Sequence, residues 1–476
     1  MKLILFYIPF LLVGQITFVK TFGGDTTDIG HCVKQTIDEG YIIAGVTESF
    51  GASGKDVFLI KTDSLGNMMW TQVFGGAGND YAYSVCQTSD SGYIVAGATE
   101  SYGSGDYDVW VIKTDAQGDT IWTKTYGGVY NDFGQCIQIT ENGYIITGCT
   151  ASFGGVAYDM YLIRTDENGD TLWTKPYGRQ GVNDQAYYVE PTSDSGYIVV
   201  GYSDTDVYLI KVNSLGDTLW TKVYGEYSYD YGFCVRETSG HGFIISGRTW
   251  WGASDDLYLI NTDSLGNPIW SERYGGTYYE SGNCVELTDD NCYAIGGETR
   301  SYGAGAYDVY FIKTDTSGNI IFEKTYGGTD NDGGNYIQQT NDRGYVIAGF
   351  TESFGNGAKD VYLIKTDSLG NLAIKEKKPK NSDVKRLQLN IHPNPFHNTV
   401  SIRYQTVYND NVSLKVYDAT GRLVETFFEN QNNVPKVQNL IWDAISDNGK
   451  RLPNGIYFII LTNTKEKLTE KLLLLK

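Results

Sequence analysis

Histidine is scarce in this chain. Four occur in 476 residues, and only His31 and His241 fall in the first three quarters. They sit at unlike places in the local pattern, so neither a histidine-based triad nor a multi-histidine metal site is expected. No GxSxG, HExxH or Walker-type loop occurs. Proline and methionine are also few, nine and four. Basic charge is outweighed: 37 Lys and Arg face 57 Asp and Glu, for a net charge of −20. Sixteen basic and ten acidic residues lie from Lys375 onward, so that stretch carries +6 and the part before it −26. An acidic body without a basic stripe excludes nucleic acid as a partner. No run approaches the roughly 20 apolar residues of a membrane helix.

What is abundant is glycine, 57 residues, and tyrosine, 38. Together they favour turns and pleated surfaces over helices. Met1-Lys2 followed by LILFYIPFLLVG has the form of an export signal, expected to cover residues 1–15. Seven cysteines in an exported chain raise the question of disulfides. Cys32, Cys136, Cys234 and Cys284, however, each stand four residues after an acid in a repeated slot and read as small buried thiols, with a Cys284–Cys292 pair left open.

A period of about 50 residues occurs seven times. GYIIAG at Gly40 returns as GYIVAG, GYIITG, GYIVVG, GFIISG, CYAIGG and, at Gly344, GYVIAG. DVFLIKTD at Asp56 returns in every unit down to DVYLIKTD at Asp360. The second unit reads as strands over Tyr81–Thr88, Tyr93–Thr99, Val109–Thr114 and Thr120–Tyr126, joined by the turns SDSG and DAQGD. Seven such units predict an all-β fold, a seven-bladed β-propeller over residues 16–374, because radial repetition hides sheet edges. Trp70, Trp122, Trp173, Trp220 and Trp270, with Phe322 and Ile374 in the last two units, are expected to wedge between blades. ITFVKTFGG at 16–24 matches the fourth-strand phrase TIWTKTYGG at 120–128, and NLAIKE at 371–376 competes for the same slot. The pattern resembles bacterial surface propeller repeats akin to quinoprotein-like blades, a likeness of architecture alone.

Residues 375–386 form a charged linker, and 387–476 show alternating strands divided by DATG, SDNG and LPNG. Their spacing suggests a β-sandwich of seven strands. Pro393, Asn394, Pro395 and Phe396, then VSLKVYDATGRLV with Gly421, WDAISDNGKRLPNGIYFIIL with Gly455, and the terminal KLLLLK resemble the type IX secretion C-terminal sorting domain. The motif run is also similar to the immunoglobulin-like domain of flagellar hook-capping proteins. The resemblance implies the type IX machinery as partner and a place outside the cell, released or associated with the outer membrane.

Candidate sites are three. Asp28, Asp80, Asp132, Asp184, Asp230 and Asp332, with Glu280, end the inter-blade crossings and would ring one channel mouth. That ring could hold calcium, or each acid could cap its own turn. The TD-x-x-G-N phrase looks superficially like a sialidase Asp-box, but its spacing is that of a hairpin turn. Trp250 and Trp251, in the fifth unit's RTWWGASDD, break the repeated loop ESFGxGxxD and could stack a sugar or hold a peptide. The sequence therefore predicts a monomeric, non-catalytic recognition or scaffold protein for glycan or protein, without a cofactor apart from that calcium alternative. The alternatives are an extracellular polysaccharide-active or quinoprotein-like enzyme, or a purely structural envelope component.

Overall fold

The computed structural model describes residues 15–155, 157–225, 229–251, 254–372, 388–392, 396–397, 399–405, 411–431, 437–446, 450–463 and 467–475. The signal segment (apart from Gln15), the linker and Pro393–Pro395 lie outside the described residues. The chain divides into two compact units, Met1–Lys375 and Glu376–Lys476.

The first unit is a ring of seven four-stranded antiparallel sheets. In blade 2 the strands are Asp80–Gln87, Tyr93–Thr99, Asp108–Thr114 and Thr120–Tyr126, numbered here from the axis outward. The first strand of each blade packs beside that of the next, and the first strand of blade 1, Asp28–Gln35, packs beside that of blade 7, Asp332–Gln339, which closes the ring. Second and third strands are buried along their whole length in blades 1 to 3, so they read as apolar runs rather than as alternation.

Blade 7 takes its outer strand from the other end of the chain. Phe18–Phe22 pairs antiparallel with Asp360–Thr366, placing Phe18 opposite Lys365. In the other blades the same cross-strand place is held by Trp70 opposite Lys61, Trp122 opposite Lys113, and so on to Phe322 opposite Lys313. The seventh wedge place is therefore held by Phe18, and Ile374 lies outside the described residues. Six wedges pack against the first aromatic of the next blade's second strand, as Phe18 on Tyr41, Trp70 on Tyr93 and Trp122 on Tyr144, while Phe322 meets Phe311 of its own blade, which in turn meets Tyr345. All seven cysteines are free thiols. Cys284 lies 3.7 Å from Cys234 of the neighbouring blade, so the Cys284–Cys292 pairing is not formed.

The second unit stacks a three-stranded sheet, Gln388–His392, Val400–Gln405 and Val437–Trp442, with a four-stranded one, Leu423–Gln431, Val412–Asp418, Gly455–Thr462 and Lys467–Leu474. Phe396 is fully buried in their core against Trp442. Its backbone N–H donates to the Leu473 carbonyl and its carbonyl accepts from Leu475 N–H, which ties the PNPF segment to the final strand. Gly421 has φ +85 in the Asp418–Arg422 turn, a conformation that favours glycine, and Gly455 opens the strand that runs to Thr462.

Candidate functional site

The acids that end the crossings are buried at the start of the inner strands; their Oδ2 atoms are bonded locally, while Oδ1 of Asp28, Asp132, Asp184 and Asp332 is buried and accepts no hydrogen bond among the described residues. Asp28 Oδ2 accepts from Gly24 N–H at 2.8 Å and Ser49 Oγ at 2.6 Å. Asp80 and Asp132 repeat the pattern with Gly76 and Ser101, and with Gly128 and Ser152. Asp332 does so with Gly328 and Ser353, and Asp184 accepts from Arg179 N–H. Glu280 takes Asp's role in blade 6 with Gly276 N–H. The backbone N–H of these acids also donates to the preceding blade, as Asp80 does to the Lys55 carbonyl and Asp132 to that of Tyr107. A cation here would have to displace N–H and O–H donors. Among the described residues no group of three or more His, Cys, Asp or Glu is placed to hold a metal ion.

The inner strands differ where the crossings are alike. Every one carries a β-bulge at the same place, between Gly30 and Cys32, Ala82 and Ser84, Gly134 and Cys136, Ala186 and Tyr188, Gly232 and Cys234, Gly282 and Cys284, and Gly334 and Tyr336. A bulge leaves one residue without a cross-strand partner and re-aims it. It also explains the last glycine of the GYIVAG phrase: a Cβ on Gly97 would lie 1.7 Å from the Tyr81 carbonyl oxygen. The seven bulge residues are His31, Tyr83, Gln135, Tyr187, Phe233, Asn283 and Asn335. They line one cavity of about 220 Å³ on the channel axis, floored by Tyr188 and Tyr336.

The cavity is aromatic and polar but uncharged. His31 packs on Tyr83 with ring centroids 5.3 Å apart, and Tyr187 meets Phe233 edge-on at 5.2 Å. Burial, assisted by the nearby Lys55 charge, lowers the His31 pKa to about 4, so the imidazole is neutral. Burial likewise raises the Tyr83 and Tyr187 phenols far above neutrality. Asn283 and Asn335 each donate to the next blade, to the carbonyls of Gly334 and Gly30 at 2.9 Å. Below the floor the channel is crossed by a charged lattice. Arg236 bonds Glu190 at 3.0 Å, Glu286 at 3.1 Å and the Tyr336 hydroxyl at 3.2 Å, and lies over the Tyr188 ring. Lys34 donates to the same Tyr336 hydroxyl.

Above the cavity, the second residue of each inner strand pairs with one residue of the second strand. These partners are Val46, Ala98, Cys149, Tyr202, Arg248, Glu298 and Phe350. The mouth is therefore apolar on one side and charged on the other. Burial raises the Glu298 pKa to about 7, against the opposing pull of Lys359 and Arg248. In blade 5 the second and third strands run on as a tight hairpin, with Trp250 opposite Asp255 and Trp251 opposite Ser254. Trp250 is 44% exposed and, by strand alternation, shares a face with Arg248. The side chain of Trp251 lies outside the described residues. The bulge column holds the side chains that repetition does not explain, its one position per blade ranging from His to Phe.

A second, open hollow of about 580 Å³ lies on the outer face of the four-stranded sheet of the C-terminal unit, lined by Lys415, Tyr417, Phe458 and Ile460 among others. It is a solvent-facing strand ladder without convergent chemistry.

Residues 390–475 match the family of secretion system C-terminal sorting domains. Over a 205-residue alignment, 35% of this chain is 27% identical to part of the regulatory protein FlaEY of Caulobacter vibrioides, of which the chain spans about a fifth (21%). Among solved structures the chain is similar to PorZ, an essential surface component of the type IX secretion system of Porphyromonas gingivalis, at 11% identity and a TM-score of 0.41. That similarity covers 95% of this chain and 60% of PorZ. It is similar also to the Neurospora crassa Pan2 WD40 domain (10% identity, TM-score 0.46, 72% of this chain and 97% of that one) and to puromycin hydrolase (10%, 0.46, 80% and 59%). Likeness at this level carries nothing about ligand or activity.

Proposed function

Starting from a chain that ends in a type IX secretion sorting domain, and is thereby exported to the cell surface or released, we propose that its propeller is a non-catalytic recognition module that seats a saccharide unit in the channel mouth. The observation that carries this reading is the bulge column: seven positions held at one level by a repeated backbone device, filled by seven independently chosen side chains. Aromatic faces suit the C–H faces of a pyranose, and amides with neutral imidazole and phenol suit its hydroxyls. The cavity is of the size of one sugar ring. At this level no two carboxyls stand together as glycoside hydrolysis requires, which supports binding over turnover. Trp250, exposed beside the mouth, would extend the contact to a neighbouring unit.

A glycan array on the full mature chain, followed by calorimetry, tests this. Binding is expected to fall at least about tenfold in Tyr187→Ala and in Asn335→Ala, and less in Trp250→Ala. Chelator should leave both binding and the melting temperature unchanged, since among the described residues no three acids converge on one point. Binding lost in Trp250→Ala but kept in Tyr187→Ala would move the site to the rim. Capture of a peptide alone would replace the saccharide reading, and release of shortened oligosaccharide would make the protein an enzyme.

A further inference from the structure

Resting on the reading of the channel as a saccharide site, we infer that the sugar residue it takes is acidic, and that Arg248 holds its carboxylate at the rim of the cavity. Arg248 is the only cation in the second-strand column above the bulge residues. Six blades place Val46, Ala98, Cys149, Tyr202, Glu298 or Phe350 there, so repetition does not explain it.

The guanidinium is built into the wall. It lies 4.6 Å from the Tyr231 ring centroid, 5.6 Å from that of Tyr279 and 5.9 Å from that of Phe233, which itself lines the cavity. Tyr279 is a further departure from the repeat, since Asn79, Asn131, Asn183 and Asn331 hold the equivalent crossing position. Rings on the faces of a guanidinium leave its in-plane N–H groups to choose a partner. Nη1 donates to the Tyr279 hydroxyl at 3.1 Å and lies 3.5 Å from Asp255 Oδ2. Nε is buried and has no hydrogen-bond partner. The Arg248 side chain as a whole keeps 27% exposure, so a ligand at the rim meets its charge from the solvent side, where the planar fork suits a carboxylate.

The surrounding charges agree. Lys359 lies over the Phe350 ring at 4.0 Å and Lys55 over Tyr81 at 5.6 Å, each near an outer glutamate, Glu352 at 3.5 Å and Glu48 at 3.7 Å. On the inner side Arg248 faces Asp255, and Lys359 and Arg248 both act on Glu298. The acidic body around this rim disfavours densely charged polymers. The fitting ligand is thus a chain whose entering residue bears one carboxylate, the chemistry of a terminal uronic acid.

The test uses the full mature chain and two oligosaccharides of equal length, one ending in glucuronate and the other in glucose, titrated calorimetrically at physiological salt. The acidic chain should bind about tenfold or more tightly than the neutral one. Arg248→Gln, checked for an unchanged melting temperature, should erase that preference, so that the acidic and neutral chains bind with equal affinity. If the glutamine variant does not fold, Arg248→Lys, which keeps the charge without the planar fork, should lose most of the preference. Equal or tighter binding of the neutral chain to the unaltered protein overturns this inference and leaves the saccharide site standing. Binding of neither chain, with Tyr187→Ala silent as well, overturns both.

Discussion

Lys61 reaches across blade 1 to Asp38 at 2.8 Å, and the same buried lysine-to-turn aspartate bond recurs as Lys113–Asp90, Lys211–Asp194, Lys313–Asp290 and Lys365–Asp342. Blade 5 has neither partner, with Asn261 and Gly240 in their places, and in blade 3 Arg164 turns instead to the carbonyls of Tyr144 and Asn142. A buried cation left without its aspartate is costly, so the two change together. The mouth holds groups with a different balance. Glu298 is protonated in the folded chain up to about pH 7 but only to 4.5 when unfolded. The folded state therefore binds the extra proton between those values, and its contribution to stability is full below pH 4.5 and lost as pH rises through 7. Glu298→Gln should match the parent in melting at about pH 4 and exceed it at pH 8 by roughly 2 kcal/mol, the full shift being discounted for partial solvent contact. His31 acts in the opposite sense, its depressed pKa of about 4 removing stability as pH falls below 6.5, so the variant comparison, not the parent's profile alone, isolates Glu298.

At the scale of elements, the hairpin between third and fourth strands is also the joint between blades. Gly118 has φ +85, and a Cβ there would lie 2.8 Å from the Trp70 ring of the preceding blade. In the next joint along, Tyr126 donates to the Gly169 carbonyl at 2.6 Å. Gly118→Ala should cost about 2–4 kcal/mol, read as a lower denaturation midpoint, because backbone strain and overpacking add. Deleting residues 16–22 would leave blade 7 with three strands and uncover Tyr41. The melting temperature should fall by on the order of 10 °C. Strand limits were legible in the sequence to within a residue, as Tyr81–Thr88 against Asp80–Gln87, because Asp and Gly turn chemistry brackets each strand. The closing strand was not, since 16–24 and 371–376 fit one slot and the choice rests on a pairing more than 300 residues apart. An aromatic at the wedge position, Phe18 against Ile374, was the readable hint. The bulges were hidden for a related reason: one unpaired residue shifts the period-2 alternation by one, so His31 and its equivalents read as ordinary strand positions.

For the whole molecule, a repeated frame fixes where variation can be used. Crossings, wedges and turn caps are common to the seven blades, while the axial column and the blade 5 hairpin are not. The C-terminal unit is organised around Phe396 and the last strand. Removing residues 463–476 should therefore unfold the sandwich and leave the protein inside the outer membrane, as cell fractionation would record, with the propeller still folded. A crystal structure of the mature chain with its best-binding oligosaccharide tests the axial site most directly. A sugar ring is expected between His31, Tyr187 and Phe233, above Tyr188 and Tyr336. Sugar bound on the outer strands or on the C-terminal sheet, with the axial cavity holding only water, would contradict it.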